Sequence, residues 1–186
     1  IPLREVELGK NYAVVITTNG GLWRYKIGDT VKFTSLAPFK IKITGRTRHF
    51  INAFGEELII DNAEKALKKA CTNTGAEIRE YTAAPVFMKE GKAGKHQWLI
   101  EFSVAPNSHE FFIESLDNAL KATNSDYEAK RYKDIALHKP EVLVVKEGCF
   151  YQWMKQKGKL GGQHKVPRLA NDRRFVDEVL VINAQL

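Results

Sequence analysis

The chain of 186 residues is 44% hydrophobic and 10% aromatic, which excludes a disordered polyelectrolyte and supplies material for a packed core. Its net charge of +7 is compatible with a polyanionic partner, but the basic residues are spread out, and the densest runs (Lys65 to Lys69, Lys130 to Lys133) read as solvated faces. The two cysteines form no CxxC pair and no apolar run is long enough to span a bilayer, so the expectation is a cytoplasmic protein with small core thiols and no membrane partner.

No signal peptide is evident, and the opening IPLREVELG, without Met and already close to a strand, reads as a cut inside a longer protein. From Asn11 to Gly45 the pattern is β. YAVVITT is a β-branched run, Asn19-Gly20-Gly21 a hairpin turn, LWRYK a strand, Gly28-Asp29 a second turn, and TVKFT and KIKIT two more strands. In the last, Ile41 and Ile43 alternate onto one face. The expectation is a small antiparallel sheet of four short strands.

After Gly45 the character changes. TGRTRHF is polar, basic and turn-tolerant, and reads as a hinge at residues 46–50, or equally as a surface loop. A helix follows, capped by Asp61 with Glu64 in the capping-box position, carrying Ala63, Ala66, Leu67, Ala70 and Cys71 on one face and stopping at Gly75. EYTAAPVFM and QWLIEFSV read as strands, the second with Trp98, Ile100, Phe102 and Val104 on one face. A helix from about Ser108 buries Phe112, Leu116, Ala119 and Leu120. Helix and loop continue to Lys139, EVLVV is a strand, and CFYQWMKQKG is a short helix closed by Gly158. The order βαββαβα implies an α+β fold: a small antiparallel β subdomain at residues 1–45, then an α/β sandwich at 51–186 with a mixed sheet carrying helices on one face.

Chemistry is thinly signalled. No two of the five histidines have ligand spacing on one helix, so no metal site is expected; no nucleophilic triad and no GxxxxGK[ST] loop is present. Asp29 after Gly28 presents a carboxylate at a sheet end, suited to accept from the two hydroxyls of a ribose. Lys165 stands between His164 and Val166 after Gly158, Gly161 and Gly162, and Pro167 stiffens the exit; such a cation suits a phosphate whose charge changes during reaction. An ordinary hairpin turn and an exposed basic loop account for the same residues, and taken singly these plainer readings come first.

Together the pieces form a pattern. YAVVITTNGGLWRYKIGDTVKF resembles the Tyr-Arg-Tyr-Arg-x-Gly-Asp motif of the acyl-acid amido synthetases, the auxin-responsive promoter family of plants with bacterial relatives, within the acyl-adenylate-forming superfamily. FKIKITGRTRHFINAFGEEL resembles that family's F-x-x-x-G-R hinge and Gly-Glu-Lys-Leu-like element, and GGQHKVPRL its Gln-Tyr-Lys-Thr-Pro-Arg ending. The departures are Lys26 for Arg, His164 for Tyr and Val166 for Thr. The resemblance implies an ATP- and Mg2+-dependent ligase that adenylates a carboxylic acid and passes the acyl group to an amine such as an amino acid. Lys165 would be catalytic. Asp29, Gly28, Tyr25, Arg46 and Gln163 would serve the nucleotide, with Asp29 on the ribose, Arg46 at the hinge and Gln163 positioning the Lys165 loop. It further implies that the phosphate loop and acyl pocket lie on a large N-terminal domain absent from this chain, so that the chain alone is inactive. A thioester-forming relative and a stand-alone nucleic-acid module are the alternatives; QWLIEFSV has aromatics but only Glu101 as a charge, so no nucleic-acid partner is expected.

Overall fold

The structure is a computed structural model that describes residues 1–47, 49–87, 93–161 and 164–186. It is an α+β fold with one small antiparallel sheet and one mixed sheet layered with helices.

The first sheet has three strands, not four: β1 (Asn11–Ile16), β2 (Tyr25–Leu36) and β3 (Phe39–Arg46), antiparallel in that order. The chain reverses between β1 and β2 through the Asn19-Gly20-Gly21 segment, where the Thr18 amide donates to the Leu22 carbonyl at 2.8 Å. Gly28-Asp29 makes no turn. The pairing jumps from Val15 opposite Lys26 to Ala13 opposite Thr30, so residues 27–29 bulge out of a continuous strand. Gly28 has φ 89°, a conformation a glycine adopts without a Cβ penalty, and this absorbs the extra residues.

Register assigns the two faces. Val31 pairs with Tyr12 and Ile43, and Phe33 with Ile41, which puts these apolar residues on one face together with the Tyr12, Phe33 and Phe39 ring contacts. The opposite face carries Asn11, Thr30, Lys42 and Thr44, where the Thr44 hydroxyl donates to Asn11 and Lys42 Nζ lies 3.0 Å from Asp61. The polar face therefore looks toward the rest of the chain. Ile41 and Ile43 on the apolar face are 56% and 64% exposed.

A two-residue ladder, β4 (Phe50–Ile51) with β5 (Leu58–Ile59), leads directly into α1 (Ile60–Thr74). Because β5 runs straight into the helix, Ile59 holds the N-cap position and Asp61 lies inside the first turn. Asn62 Oδ1 accepts from the Ile59 amide at 3.3 Å, while Asp61 pairs with Lys42 and Lys65. Glu64 is likewise not a capping group: it accepts from the Tyr81 hydroxyl at 2.9 Å. Gly75 closes the helix at φ 68° as expected.

The second sheet has the order β6 (Glu77–Val86), β7 (Lys95–Val104), β8 (Glu141–Val144), antiparallel and then parallel. Helices cover both of its faces, not one. Ala83, Trp98, Ile100 and Val142 pack with α1, α2 (His109–Thr123) and Tyr127 of α3 (Ser125–Arg131). The alternate residues Ala84, Leu99 and Leu143 pack with α4 (Cys149–Gln156) and α5 (Arg174–Gln185). A sheet apolar on both sides needs a layer on each. Helix α5 lies beyond the expected element order; its Val176, Val179 and Ile182 fill the second layer. Ser108 caps α2 by accepting from the Phe111 amide at 3.2 Å, while Val104, at the end of β7, is exposed.

Candidate functional site

The bulge in β2 places Asp29 directly opposite Arg46 across the β2–β3 ladder. Arg46 Nε donates to Asp29 Oδ1 at 2.9 Å, and Asp29 Oδ2 makes no hydrogen bond among the described residues. The Gly28 carbonyl accepts from the Thr47 amide at 2.8 Å and from its hydroxyl at 3.3 Å, so the residue after the strand grips the bulge. Lys26, Ile27, Gly28, Arg46, Thr47 and His49 line a recess of about 350 Å³. Asp29 and Arg46 line a neighbouring one of about 400 Å³ with Ile60, Asp61 and Glu64. Arg46 is the ridge between them. Tyr25 starts β2, is half exposed and lines neither.

Lys165 is exposed on the rim of a third recess, about 790 Å³, whose floor is Phe150, Met154 and Val166 and whose walls include Arg79, Glu101 and Arg168. Asp29 does not line it, so the two residues predicted to share a nucleotide stand at separate concavities. Gln163 lies outside the described residues.

Sequence reasoning missed what stands between them. Glu64 lines the Asp29 recess, and together with Arg168 it lines a further one of about 470 Å³; Arg168 in turn lines the Lys165 recess. The Arg168 guanidinium lies over the Tyr81 ring at 4.5 Å and forms an ion pair with Glu80. Burial holds its pKa below the ordinary arginine value. The Pro-Arg of the last motif carried a signal for this residue, whereas its partners on α1 and β6 are remote in sequence.

The Gly55-Glu56-Glu57-Leu58 element is structural. Glu56 is fully buried, accepts from the Phe54 amide at 2.7 Å and lies 2.7 Å from His96 Nε2. Burial pushes its carboxyl up, but the His96 contact outweighs it and the net shift is downward. The thiols are poor nucleophiles: burial raises Cys71 and pushes Cys149 up to about 11.

Two family descriptions match the chain: the GH3 family central domain over residues 1–46 and the GH3 family C-terminal domain over residues 61–174, the latter more than half the chain. Among curated proteins, it is 28% identical to a probable indole-3-acetic acid-amido synthetase, GH3.1, of Arabidopsis thaliana, over 95% of this chain and 32% of that protein. It is 26% identical to the jasmonoyl–L-amino acid synthetase GH3.5 of Oryza sativa subsp. japonica, over 92% of this chain and 30% of that protein. The fold superimposes on the GH3.15 acyl acid amido synthetase with a TM-score of 0.73 at 21% identity, covering 97% of this chain and 34% of that one. The chain thus spans about a third of the length of the relatives it matches, and it belongs to the GH3 family.

Proposed function

We propose that the chain is the C-terminal portion of an ATP-dependent acyl-acid amido synthetase. In the first half-reaction a carboxylate oxygen attacks the α-phosphorus of ATP, and the bond to the leaving pyrophosphate breaks. In the second, an amine attacks the acyl carbon of the acyl-adenylate and AMP leaves. The relatives' names support this class, with acids and amino acids as substrates.

The observation that carries the reading is the one-sided clamp on Asp29. Arg46 occupies Oδ1 and fixes the carboxylate, while Oδ2 is left to accept from vicinal ribose hydroxyls. Gly28 supplies the bulge that presents it, Arg46 shapes the adjoining recesses, and Tyr25 flanks the strand start. Lys165, exposed on its rim, is suited to neutralise charge that develops on the phosphates during adenylation, and Gln163, two positions earlier in the sequence, is assigned to the same loop. Asp29 and Lys165 stand at separate recesses, so we assign their convergence to rotation of residues 51–186 against residues 1–45 about a hinge at 46–50. The polar, partly exposed Lys42–Asp61 ion pair between the two parts supports such a movement.

Among the described residues no group of three or more His, Cys, Asp or Glu side chains converges on a metal position. A magnesium ion arriving with ATP is held chiefly by the phosphates and by one or two carboxylates, and needs no such cluster. No helix among the described residues is long and apolar enough to cross a membrane; with both thiols free, we place the protein in the cytoplasm.

The test is ATP–pyrophosphate exchange by the full-length protein with a panel of carboxylic acids. We expect acid-dependent exchange that falls by about 100-fold or more in Lys165→Ala, the scale of removing one preorganised charge-stabilising donor. Exchange absent with every acid would overturn the enzyme class. Exchange untouched by the substitution would overturn the role of Lys165.

A further inference from the structure

Lys165 is the last exposed residue before a firmly held segment. Val166 is buried in the layer between the second sheet and helices α4 and α5. The Pro167 carbonyl accepts from the Thr82 hydroxyl at 2.7 Å, and the Arg168 carbonyl accepts from the Ala83 amide at 2.9 Å. The Ala170 amide then donates to the Ala83 carbonyl at 3.1 Å. The segment is stitched beside β6 and fixes Lys165 from its C-terminal side.

The Arg168 side chain adds a second anchor. Its guanidinium covers the Tyr81 ring at 4.5 Å, pairs with Glu80, donates from Nη1 to the Tyr81 carbonyl at 3.5 Å, and has Nε 4.0 Å from Glu64 Oε1. The Tyr81 hydroxyl donates to that same Glu64 oxygen. A planar cation stacked on an aromatic face and flanked by two carboxylates is an arrangement lysine does not reproduce. Two residues, Val166 and Pro167, separate Lys165 from Arg168, a span of roughly 10 Å when extended, so movement of Arg168 transmits to Lys165.

We propose that Arg168 is a positioning residue for Lys165, locking the exit of the catalytic segment onto Tyr81, Glu80 and Glu64. The inference rests on the role assigned to Lys165 above, but its first readout does not depend on activity.

The experiment compares full-length wild type, Arg168→Ala, Arg168→Lys and Glu80→Gln, the last two guarding against a misfolded alanine variant. Backbone amide exchange is followed at Ala83 and Ala170, whose amides form the hydrogen bonds that hold the segment to β6, and ATP–pyrophosphate exchange is measured alongside. We expect Arg168→Ala to exchange these amides about 10-fold faster or more, with the other two variants between it and wild type. We expect its kcat for pyrophosphate exchange to fall by about 10-fold or more while KM for ATP stays within about 2-fold. In a Lys165→Ala background the same change should have no further effect on rate, because a residue acting through the lysine has nothing left to position. Unchanged amide protection in all three variants would overturn the proposal, and so would an Arg168→Ala rate loss that persists in full without Lys165. A wild type with no acid-dependent exchange would instead remove the enzyme assignment, and the amide-exchange result would still decide whether Arg168 holds the segment.

Discussion

The two sheets of this chain treat their apolar faces in opposite ways. The sheet of β6, β7 and β8 has helices on both sides, and Trp98, Leu99 and Ile100 are all fully buried within the chain. The sheet of β1, β2 and β3 turns its polar face inward and leaves Ile41 and Ile43 uncovered. Covering an isoleucine is worth about 1.5–3 kcal/mol, a stabilisation that the chain realises at Val31 and Phe33 but not at Ile41 and Ile43. The larger core in this chain therefore belongs to the second sheet and its helices, whereas Asp29 sits on the sheet with the less covered apolar face.

The largest expected effect comes from the closed region. Trp98→Ala should cost the isolated chain about 3–5 kcal/mol in urea denaturation, the range for a large buried aromatic, whereas Ile43→Ala should cost within about 0.5 kcal/mol. An Ile43→Ala loss above about 2 kcal/mol would break the comparison, since surface substitutions do not reach that size.

Next is the buried cluster of α2 and α3. Arg131 grips Asp117 through Nε at 2.8 Å and Nη2 at 3.0 Å, and the Tyr127 hydroxyl donates to the same carboxylate at 2.8 Å. Burial pushes the Asp117 carboxyl up, but Arg131, Lys121 and Tyr127 outweigh it and hold it below the ordinary value. A depressed carboxyl contributes its stability above its unfolded pKa, near 4, and loses it as pH falls through the lower folded value. Asp117→Asn should cost about 3 kcal/mol at neutral pH and flatten the decline of stability below about pH 4. An acid limb identical to wild type would show that other carboxylates carry it.

A smaller effect is expected on the open sheet. Asp29→Ala in the full-length protein should raise KM for ATP about 10-fold, roughly 1.4 kcal/mol, without moving the unfolding midpoint of the second region. A shift in stability with no change in KM would reduce Asp29 to a partner of Arg46. The smallest effect belongs to the contact between the regions: Lys42→Ala should cost at most about 1 kcal/mol and less in high salt, because Lys42 is exposed beside Asp61.

Local chemistry made much of this legible. The periodic helices with clear ends, Ser108 before α2 and Gly75 after α1, emerge where the residues place them. The same holds for β7, whose alternation is the pleat itself. Legibility failed where a local signal had a tertiary use. Gly28-Asp29 has the composition of a turn, and only pairing with both neighbouring strands makes it a bulge. Asp61 has the composition of a cap and serves two lysines instead. Helix α5 is rich in β-branched residues, which blurs its helical period. For the site, motifs pointed to Asp29, Arg46 and Lys165 one at a time. The Glu64, Tyr81 and Arg168 cluster unites three distant stretches that no spacing rule connects.

The stitching of residues 167–170 onto β6 also bears on aggregation. β6 is the edge of its sheet, and Leu169 bridges Ala83 in parallel at the middle of that edge. An uncovered edge strand is a template for pairing with another molecule. A chain shortened before Lys165 would expose this stretch of backbone together with the apolar seat of Val166, and solubility would fall. The segment that follows Lys165 thus also shields the sheet edge from neighbouring molecules.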